Sequence, residues 1–461
     1  MSSTTATVPA EMLARYDRPG PRYTSYPTAP VWSDAFGPAQ YADRLRAAGM
    51  RTGEPLSLYV HIPFCASMCW YCGCSVVISR DQDKIDGYVD TVLREAELVR
   101  RLLGSERPVL QHHWGGGTPT SLTPAAIAKL FAGLTRLFPF APGAEVSVEV
   151  DPRVTSKQHL EALAAGGCTR LSMGVQDFDA TVQRAIHREQ SFELTADLIA
   201  TARALGFTSI NVDLVYGLPH QHLDGFARTL QLVDRLAPDR VACYGYAHVP
   251  WLKKHQTVID EAALPRGTDK LALLRVAIGH FAGAGYEAIG MDHFARGSDE
   301  LAVAARAGTL HRNFMGYTTR PASEMVAFGV TAIGEIDGAF VQNHKEVAQW
   351  RELVERGEVP VHKGHRRSAD DDARRRIILD LMCRFRLRWH DHGGEAAFRQ
   401  RYAAELARLQ PMVDDGLCTI AADGIAVHAS GRLLVRNLCM AFDAYLDRGP
   451  APAAGRFSRT V

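Results

Sequence analysis

The chain has 461 residues, enough for one large enzymatic domain and a smaller one. With 46% hydrophobic and 22% charged residues it has an ordinary globular balance, and a formal net charge of +1 offers no bulk attraction to nucleic acid or an acidic membrane. No apolar run is long enough to span a bilayer, and the opening Met-Ser-Ser-Thr-Thr-Ala-Thr lacks the basic flank and apolar core of a signal peptide, so the expected location is the cytoplasm.

Residues 1–54 carry Gly20-Pro-Arg-Tyr-Thr-Ser-Tyr-Pro-Thr28, a run of turn formers and aromatics that predicts an extended arm rather than a domain. Short apolar or alternating runs then predict strands at Leu56–Ile62, Val109–Trp114, Glu145–Val150, Arg170–Gly174, Ser209–Val215 and Arg240–Tyr246. Helices are expected between them. Ile85, Tyr88, Val89, Val92, Leu93, Ala96 and Val99 recur at helical spacing. Thr123 followed by Pro124 reads as the cap and first residue of another helix, and a third starts near Asp224. Six β–α units in series predict a parallel sheet with right-handed crossovers, an α/β fold curved into a partial (β/α)6 TIM-like barrel. Residues 55–365 are assigned to this catalytic domain and its extension.

From residue 366 to 461 the pattern becomes mainly helical. Asp370-Asp371-Asp372 opens a helix, Leu417–His428 reads as a hairpin turning at Asp423-Gly424, and a last helix is expected over Gly431–Leu446. Helices plus a hairpin resemble a winged-helix module. No clear basic recognition helix accompanies them, so a structural cap is preferred and no nucleic-acid partner is expected.

Four of the nine cysteines fall within ten residues, in Cys65-Ala-Ser-Met-Cys69-Trp-Tyr-Cys72-Gly-Cys74, directly after the first strand. The other five lie in apolar surroundings and read as small core residues. Thiolates suit iron–sulfur clusters and zinc. A closed zinc site needs a second ligand pair, and none at zinc-like spacing is obvious. Three cysteines on a four-iron cluster leave one iron open to chelate a small molecule. A one-residue gap makes it hard for Cys74 to reach a separate iron beside Cys72, so Cys74 is placed near the cluster without being a ligand.

Polar groups gather at the carboxyl ends of the expected strands, where a parallel α/β enzyme carries its site. They are Gly115-Gly116-Gly117-Thr118, Glu149 and Asp151, Gln176 and Asp177, Asp213, and Tyr246-Ala247-His248.

The cysteine spacing, with the aromatic Tyr71 before the third, resembles the radical S-adenosylmethionine superfamily. A rim with Arg188, Glu149, Gln176, Asp213 and glycine backbone suits the carboxylate, ammonium and ribose of such a cofactor. Motifs along nearly the whole chain are similar to oxygen-independent coproporphyrinogen III oxidases. They are the arm motif, His61-Ile-Pro-Phe-Cys65, Cys74, His113–Thr120, Glu149–Arg153, Met291–Arg296, His311-Arg-Asn-Phe314 and Gly431–Asn437. That resemblance implies a monomer that turns two propionates of coproporphyrinogen III into vinyls, giving protoporphyrinogen IX for heme biosynthesis.

It also implies one [4Fe–4S] cluster on Cys65, Cys69 and Cys72, two S-adenosylmethionine molecules, a low-potential electron donor and a final electron acceptor. Tyr59, Gly116 and Glu149 match positions that bind the S-adenosylmethionine on the cluster. Tyr71, Gly117, Thr118, Gln176, Arg188, Asp213, Ala247 and Ile333 match other cofactor contacts. Arg22, His293, Arg296, His311 and Arg312 are the candidates for the substrate carboxylates. Met315 departs from the glutamine usual in that family. Heme-trafficking relatives typically lack both the fourth cysteine and the arm, which are present here. A DNA-binding regulator with a redox-sensing cluster would not need the rim.

Overall fold

A computed structural model describes residues 9–320, 324–446 and 457–460; the stretch read for a signal peptide lies outside them. The six expected strands form, each within a few residues of its expected ends. They are β1 (Leu56–Ile62), β2 (Val109–Gly116), β3 (Phe140–Val150), β4 (Arg170–Gln176), β5 (Ser209–Tyr216) and β6 (Arg240–Gly245). Six further strands join the same sheet: β7 (Tyr286–Gly290), β8 (His293–Arg296), β9 (Glu324–Phe328), β10 (Ile333–Ile336), β11 (Ala339–Asn343) and β12 (Val361–Arg366).

The sheet of twelve runs β12-β11-β10-β9-β1-β2-β3-β4-β5-β6-β8-β7. Strands β9 and β1 to β6 run parallel to one another, while β10 to β12 on one edge and β8 and β7 on the other add antiparallel pairs. The parallel part is the curved partial barrel expected from the β–α repeat. Its outer face is apolar. Leu58, Val60, Trp114, Val148, Met173, Val212 and Leu214 are fully or almost fully buried there. Their alternate neighbours, Tyr59, His113, Ser147, Ser172, Asn211 and Asp213, point to the concave side, because strand side chains alternate faces.

The helices follow the expected signals. Asp81 accepts the Lys84 N–H and starts the helix Gln82–Leu103, which ends at Gly104 with φ of +70°. Thr123 caps the helix Pro124–Leu137 by accepting the Ala126 N–H, as its sequence predicts. His222 caps Leu223–Leu236.

Three expectations need correction. The N-terminal stretch is not only an extended arm: it contains helices Ala10–Tyr16 and Pro38–Gly49. Tyr41, Leu45 and Ala48 bury one face of the second, a short periodicity masked by the flanking turn formers. The hairpin pairs Cys418–Ala421 with Gly424–Val427, so Gly424 is already paired and the turn sits one residue earlier than expected. Arg386–Arg388 adds a third strand to that small sheet. The last helix is shorter than Gly431–Leu446: a 3-10 turn at Arg432–Leu434 leads into Val435–Met440. Among the described residues no helix is long and apolar enough to cross a membrane.

Candidate active site

Strand β1 delivers the chain to the cysteine loop. Phe64–Cys65 pairs with Val77–Ile78, closing the loop at its base. Outside partners hold it from two sides. The Trp70 N–H donates to the Ile186 carbonyl at 3.0 Å, and the Trp70 ring stacks on His187. On the other side Lys253, His255 and Gln256 donate to the carbonyls of Cys74, Cys72 and Tyr71 at 2.8, 2.7 and 3.0 Å.

The loop faces a cleft of about 710 Å³ at the carboxyl end of the sheet. Cys65, Cys69, Cys72, Cys74, Tyr71, Gly116, Gly117, Thr118, Glu149, Gln176, Arg188 and Asp213 all line it. Eleven of the expected metal and cofactor positions, with Cys74 beside them, therefore meet in one place, drawn from the ends of β2 to β5, Arg188 and the loop. Among the described residues no three His, Cys, Asp or Glu side chains gather closely enough to hold a single metal ion. The thiols instead flank open space, and soft sulfur donors around such a cleft fit an iron–sulfur cluster. The scattered cysteines Cys168, Cys243, Cys383, Cys418 and Cys439 are all buried, as their surroundings suggest.

Two guanidiniums aim at the cysteine loop. Arg153 Nη2 lies 3.4 Å and Arg188 Nη1 3.7 Å from the Cys69 sulfur. Both are held by Asp151, at 2.7 and 3.0 Å. Burial pushes the Asp151 carboxyl up, but Arg188 and Arg153 outweigh it and hold the group below the usual range. Arg188 also donates to the Gly174 carbonyl at 2.8 Å, and its Nε is buried with no partner among the described residues. An unmet donor on a cleft wall is a place for a ligand atom.

The opposite wall is built on Glu149. It accepts the Gly116 N–H at 3.0 Å, and His113 Nε2 stands 3.5 Å from its other oxygen. Burial raises the carboxyl, yet the bonds from His113 and Gly116 win and hold it ionised below its ordinary value. Gly116 has φ of +119°, and a Cβ there would lie 2.6 Å from the His61 ring. A Cβ on Gly115 would lie 2.9 Å from the Glu149 carboxyl, so the wall requires glycine at both places. Tyr59 does not line the cleft but braces it. Its hydroxyl donates to His61 Nδ1 at 3.1 Å, while His61 Nε2 donates to the Ser75 carbonyl at 3.0 Å.

Asp213 accepts from Asn211 at 2.7 Å and Ser172 at 3.3 Å. Burial and the nearby Glu149 charge nevertheless push it up to about 7. Within the loop, the bond from the Cys74 thiol lowers Cys72 to about 6, while the same bond raises Cys74. Burial raises Cys65 to about 11. Cys72 is thus drawn toward the thiolate, and Cys74 holds its proton.

The remaining candidates lie elsewhere. Ala247 and Arg22 line a second cavity of about 1160 Å³ at the ends of β5 and β6, beside Lys270 and Arg436. Arg22 pairs with Asp292, and its guanidinium lies 5.4 Å from the centre of the Tyr244 ring. His293 packs edge-on against Tyr244 and Tyr317, and burial lowers it to about 4. Ile333 packs with Trp32 and Phe340, and Phe314 lies against them. His311 and Arg312 line a third cavity. Arg296 joins none of these: its Nε donates to the Pro238 carbonyl at 2.9 Å and it covers the Tyr286 ring. Those contacts hold it at the amino end of β6, away from the three cavities.

Asp151, Arg153, His61 and Arg436 lie within motifs named from the sequence, yet the sequence assigns none of them a role, and Lys270 lies in no motif. An Asp–Pro–Arg turn after a strand end is a usable signal for Asp151 and Arg153. Lys270 and Arg436 come from distant segments that only the fold brings to the mouth.

Comparison with known proteins extends this picture. Residues 59–233 match the family model described as the radical SAM superfamily. The oxygen-independent coproporphyrinogen III oxidase of Salmonella typhimurium is 46% identical over 98% of both chains. That of Escherichia coli is 45% identical over 98% of both, and that of Synechocystis 41% over 95% of both. The solved structure of the Escherichia coli enzyme, titled a radical SAM enzyme, superposes with a TM-score of 0.88 at 44% identity, covering 92% of this chain and 98% of that one. With the cysteine cleft at the mouth of a partial barrel and likeness of this extent, the chain belongs to the oxygen-independent coproporphyrinogen III oxidases of the radical SAM superfamily.

Proposed function

We propose that this protein decarboxylates two propionates of coproporphyrinogen III to vinyls without oxygen, giving protoporphyrinogen IX and two carbon dioxides for heme biosynthesis. The cleft carries the radical chemistry: three thiols, two guanidiniums and Glu149 face one space at the sheet's carboxyl edge. The substrate follows from relatives that match nearly end to end.

When bound, a [4Fe–4S] cluster supplies the electron that cleaves S-adenosylmethionine and so yields the radical that takes hydrogen from a propionate. Cys65, Cys69 and Cys72 would hold the cluster, with Cys74 beside them as a neutral neighbour. Glu149 and the Gly116 backbone take the amino-acid end of S-adenosylmethionine, with Tyr59 bracing that wall through His61. Arg188 offers its unmet Nε to an oxygen of the cofactor, and Asp213 and Gln176 face its hydroxyls. Tyr71, Gly117 and Thr118 complete this wall, while Ala247 and Ile333, which do not share a cavity, are assigned to a second S-adenosylmethionine by family resemblance alone. Each vinyl forms as the substrate loses one hydrogen atom, carbon dioxide and one further electron, so an outside acceptor is needed as well as a low-potential donor. The reading includes a monomer working in the cytoplasm.

Arg22 and the arm close the mouth and keep water from the radical. The test is anaerobic incubation of the reconstituted protein with coproporphyrinogen III, S-adenosylmethionine and a reductant, followed by product mass. Divinyl product supports the reading. Cleavage of S-adenosylmethionine with all four propionates intact overturns it.

A further inference from the structure

The two cavities at the mouth do not account for every buried cation. Arg312 sits on the strand His311–Asn313, which pairs with Gly316–Thr318 in a short hairpin. The residue is only 6% exposed. Its Nη2 donates to the Arg22 carbonyl at 3.4 Å, and its guanidinium lies 4.6 Å from the centre of the Tyr317 ring. Its Nε and Nη1 have no hydrogen-bond partner among the described residues. A buried guanidinium with unmet donors is unfavourable for the empty protein, and a ligand that accepts from it removes the penalty.

Arg312 lines a cavity of about 1050 Å³, the size of a site for a large small molecule. Five arginines line it against two aspartates, Asp380 and Asp391. Asp380 is already taken by Arg384 and by His392. Arg320 contributes another buried Nε that nothing satisfies among the described residues. Arg375 is held by Glu335 at 3.0 Å and Arg320 faces Glu300 at 3.8 Å, so among the described residues Arg312 and Arg376 are the lining cations without an acidic partner. Guanidinium groups in this setting recognise carboxylates through paired, charge-assisted hydrogen bonds.

The cavity also adjoins the concave face of the sheet. Asn313 in its wall donates to Gln111 at 3.2 Å, and Gln111 donates to Thr318 at 3.1 Å. Gln111 is two residues before His113 on β2, on the same face, and His113 stands against Glu149. Gln111 lies near the amino end of β2 and Gly116 at its carboxyl end, so a macrocycle with one arm at the radical must lie along the concave face to place others among these arginines.

We propose that this arginine cavity is an anchoring site for carboxylates of the tetrapyrrole, namely propionates that are not at the reacting carbon. The assignment rests on the proposed reaction and specifies where its substrate is held. A small polycarboxylic acid shares the same chemistry and is the competing source.

Coproporphyrin III, the stable aromatic form of the ring, is titrated anaerobically into the reconstituted protein and two variants. Arg312→Gln should weaken binding about tenfold or more, the loss expected for a charge-assisted bond. Its melting temperature should equal or exceed that of the parent, because the unmet buried charge is gone. Arg376→Glu, on an exposed arginine of the lining, cannot disturb the core and should weaken binding too. The tetramethyl ester of coproporphyrin III should not distinguish the three proteins. Unchanged affinity in both variants overturns the assignment. So does citrate that binds through Arg312 without displacing coproporphyrin III. Arg312-dependent binding of coproporphyrin III without any vinyl product would support the cavity while sinking the proposed reaction.

Discussion

At the scale of single residues, the thiols of the loop are not equivalent. Cys72 is drawn toward the thiolate by its bond from Cys74, whereas Cys74 is pushed the other way. Anaerobically reconstituted protein should hold about four irons and four sulfides, the content of one four-iron cluster. Cys65→Ala, Cys69→Ala and Cys72→Ala should each abolish it, and Cys74→Ala should spare most of it; iron and sulfide analysis reads the result. Arg188 gives a second prediction. Its loss leaves Asp151 paired with Arg153 at 2.7 Å, so the carboxylate is not stranded. Arg188→Ala should therefore weaken S-adenosylmethionine binding by about 1.5–3 kcal/mol, the worth of a charge-assisted bond, with little change in melting temperature. An anaerobic binding titration beside a thermal melt separates the two effects. The residues of this cleft were legible because each sits at a strand end or in the cysteine spacing. Arg22 and Arg312 could be named as cations but not placed, since nothing local to either says which cavity it enters.

At the scale of elements, one buried acid joins three of them. Glu95, on helix Gln82–Leu103, accepts from Gly329 at 2.8 Å, Asn343 at 2.6 Å and Trp350 at 2.9 Å. It thereby ties the helix to the turn after β9, to β11 and to helix Val347–Glu355. Burial raises its carboxyl from the ordinary 4.5 to about 8, despite these donors. The folded state then keeps a proton that the unfolded chain has released. This group's contribution to stability should fall as pH rises from about 4.5 to about 8 and level off beyond. Denaturant melts across that range should show the slope, and Glu95→Gln should flatten it. The periodicity of this helix was plain in the sequence, but Glu95 is charged, and nothing in the pattern marks it as a core residue. The small helix Pro38–Gly49 escaped for the opposite reason, its few apolar positions lying among turn formers.

At the scale of the whole molecule, the parallel half of the sheet was legible and the rest was not. Repeated strand–helix units announce a parallel sheet, because each unit buries its strand between neighbours. Strands β7 to β12 carry no such repeat. Among them β9 adds a seventh parallel strand beside β1, and the others extend the two edges of the sheet. The arm is similarly a property of the assembled chain. Arg22 pairs with Asp292, Tyr23 donates to Asp443 at 3.0 Å, and Arg436 donates to the Pro21 carbonyl at 3.0 Å. Deleting residues 1–28 should leave slow, uncoupled cleavage of S-adenosylmethionine and sharply reduce decarboxylation. A truncated protein that is folded, holds its cluster and still forms product at full rate would exclude the arm from the substrate site.

The same ties set an order in time. Gly20 donates to the Ser458 carbonyl at 3.0 Å and Thr460 to the Arg18 carbonyl at 2.9 Å, so the arm closes against residues translated more than four hundred positions later. Those partners lie up to 442 residues apart, an interval of roughly 20–90 s of translation at about 5–20 residues per second. The cysteine loop and the Glu149 wall emerge long before that seam can form. In the nascent chain, then, the arm is not yet latched when the thiols have emerged.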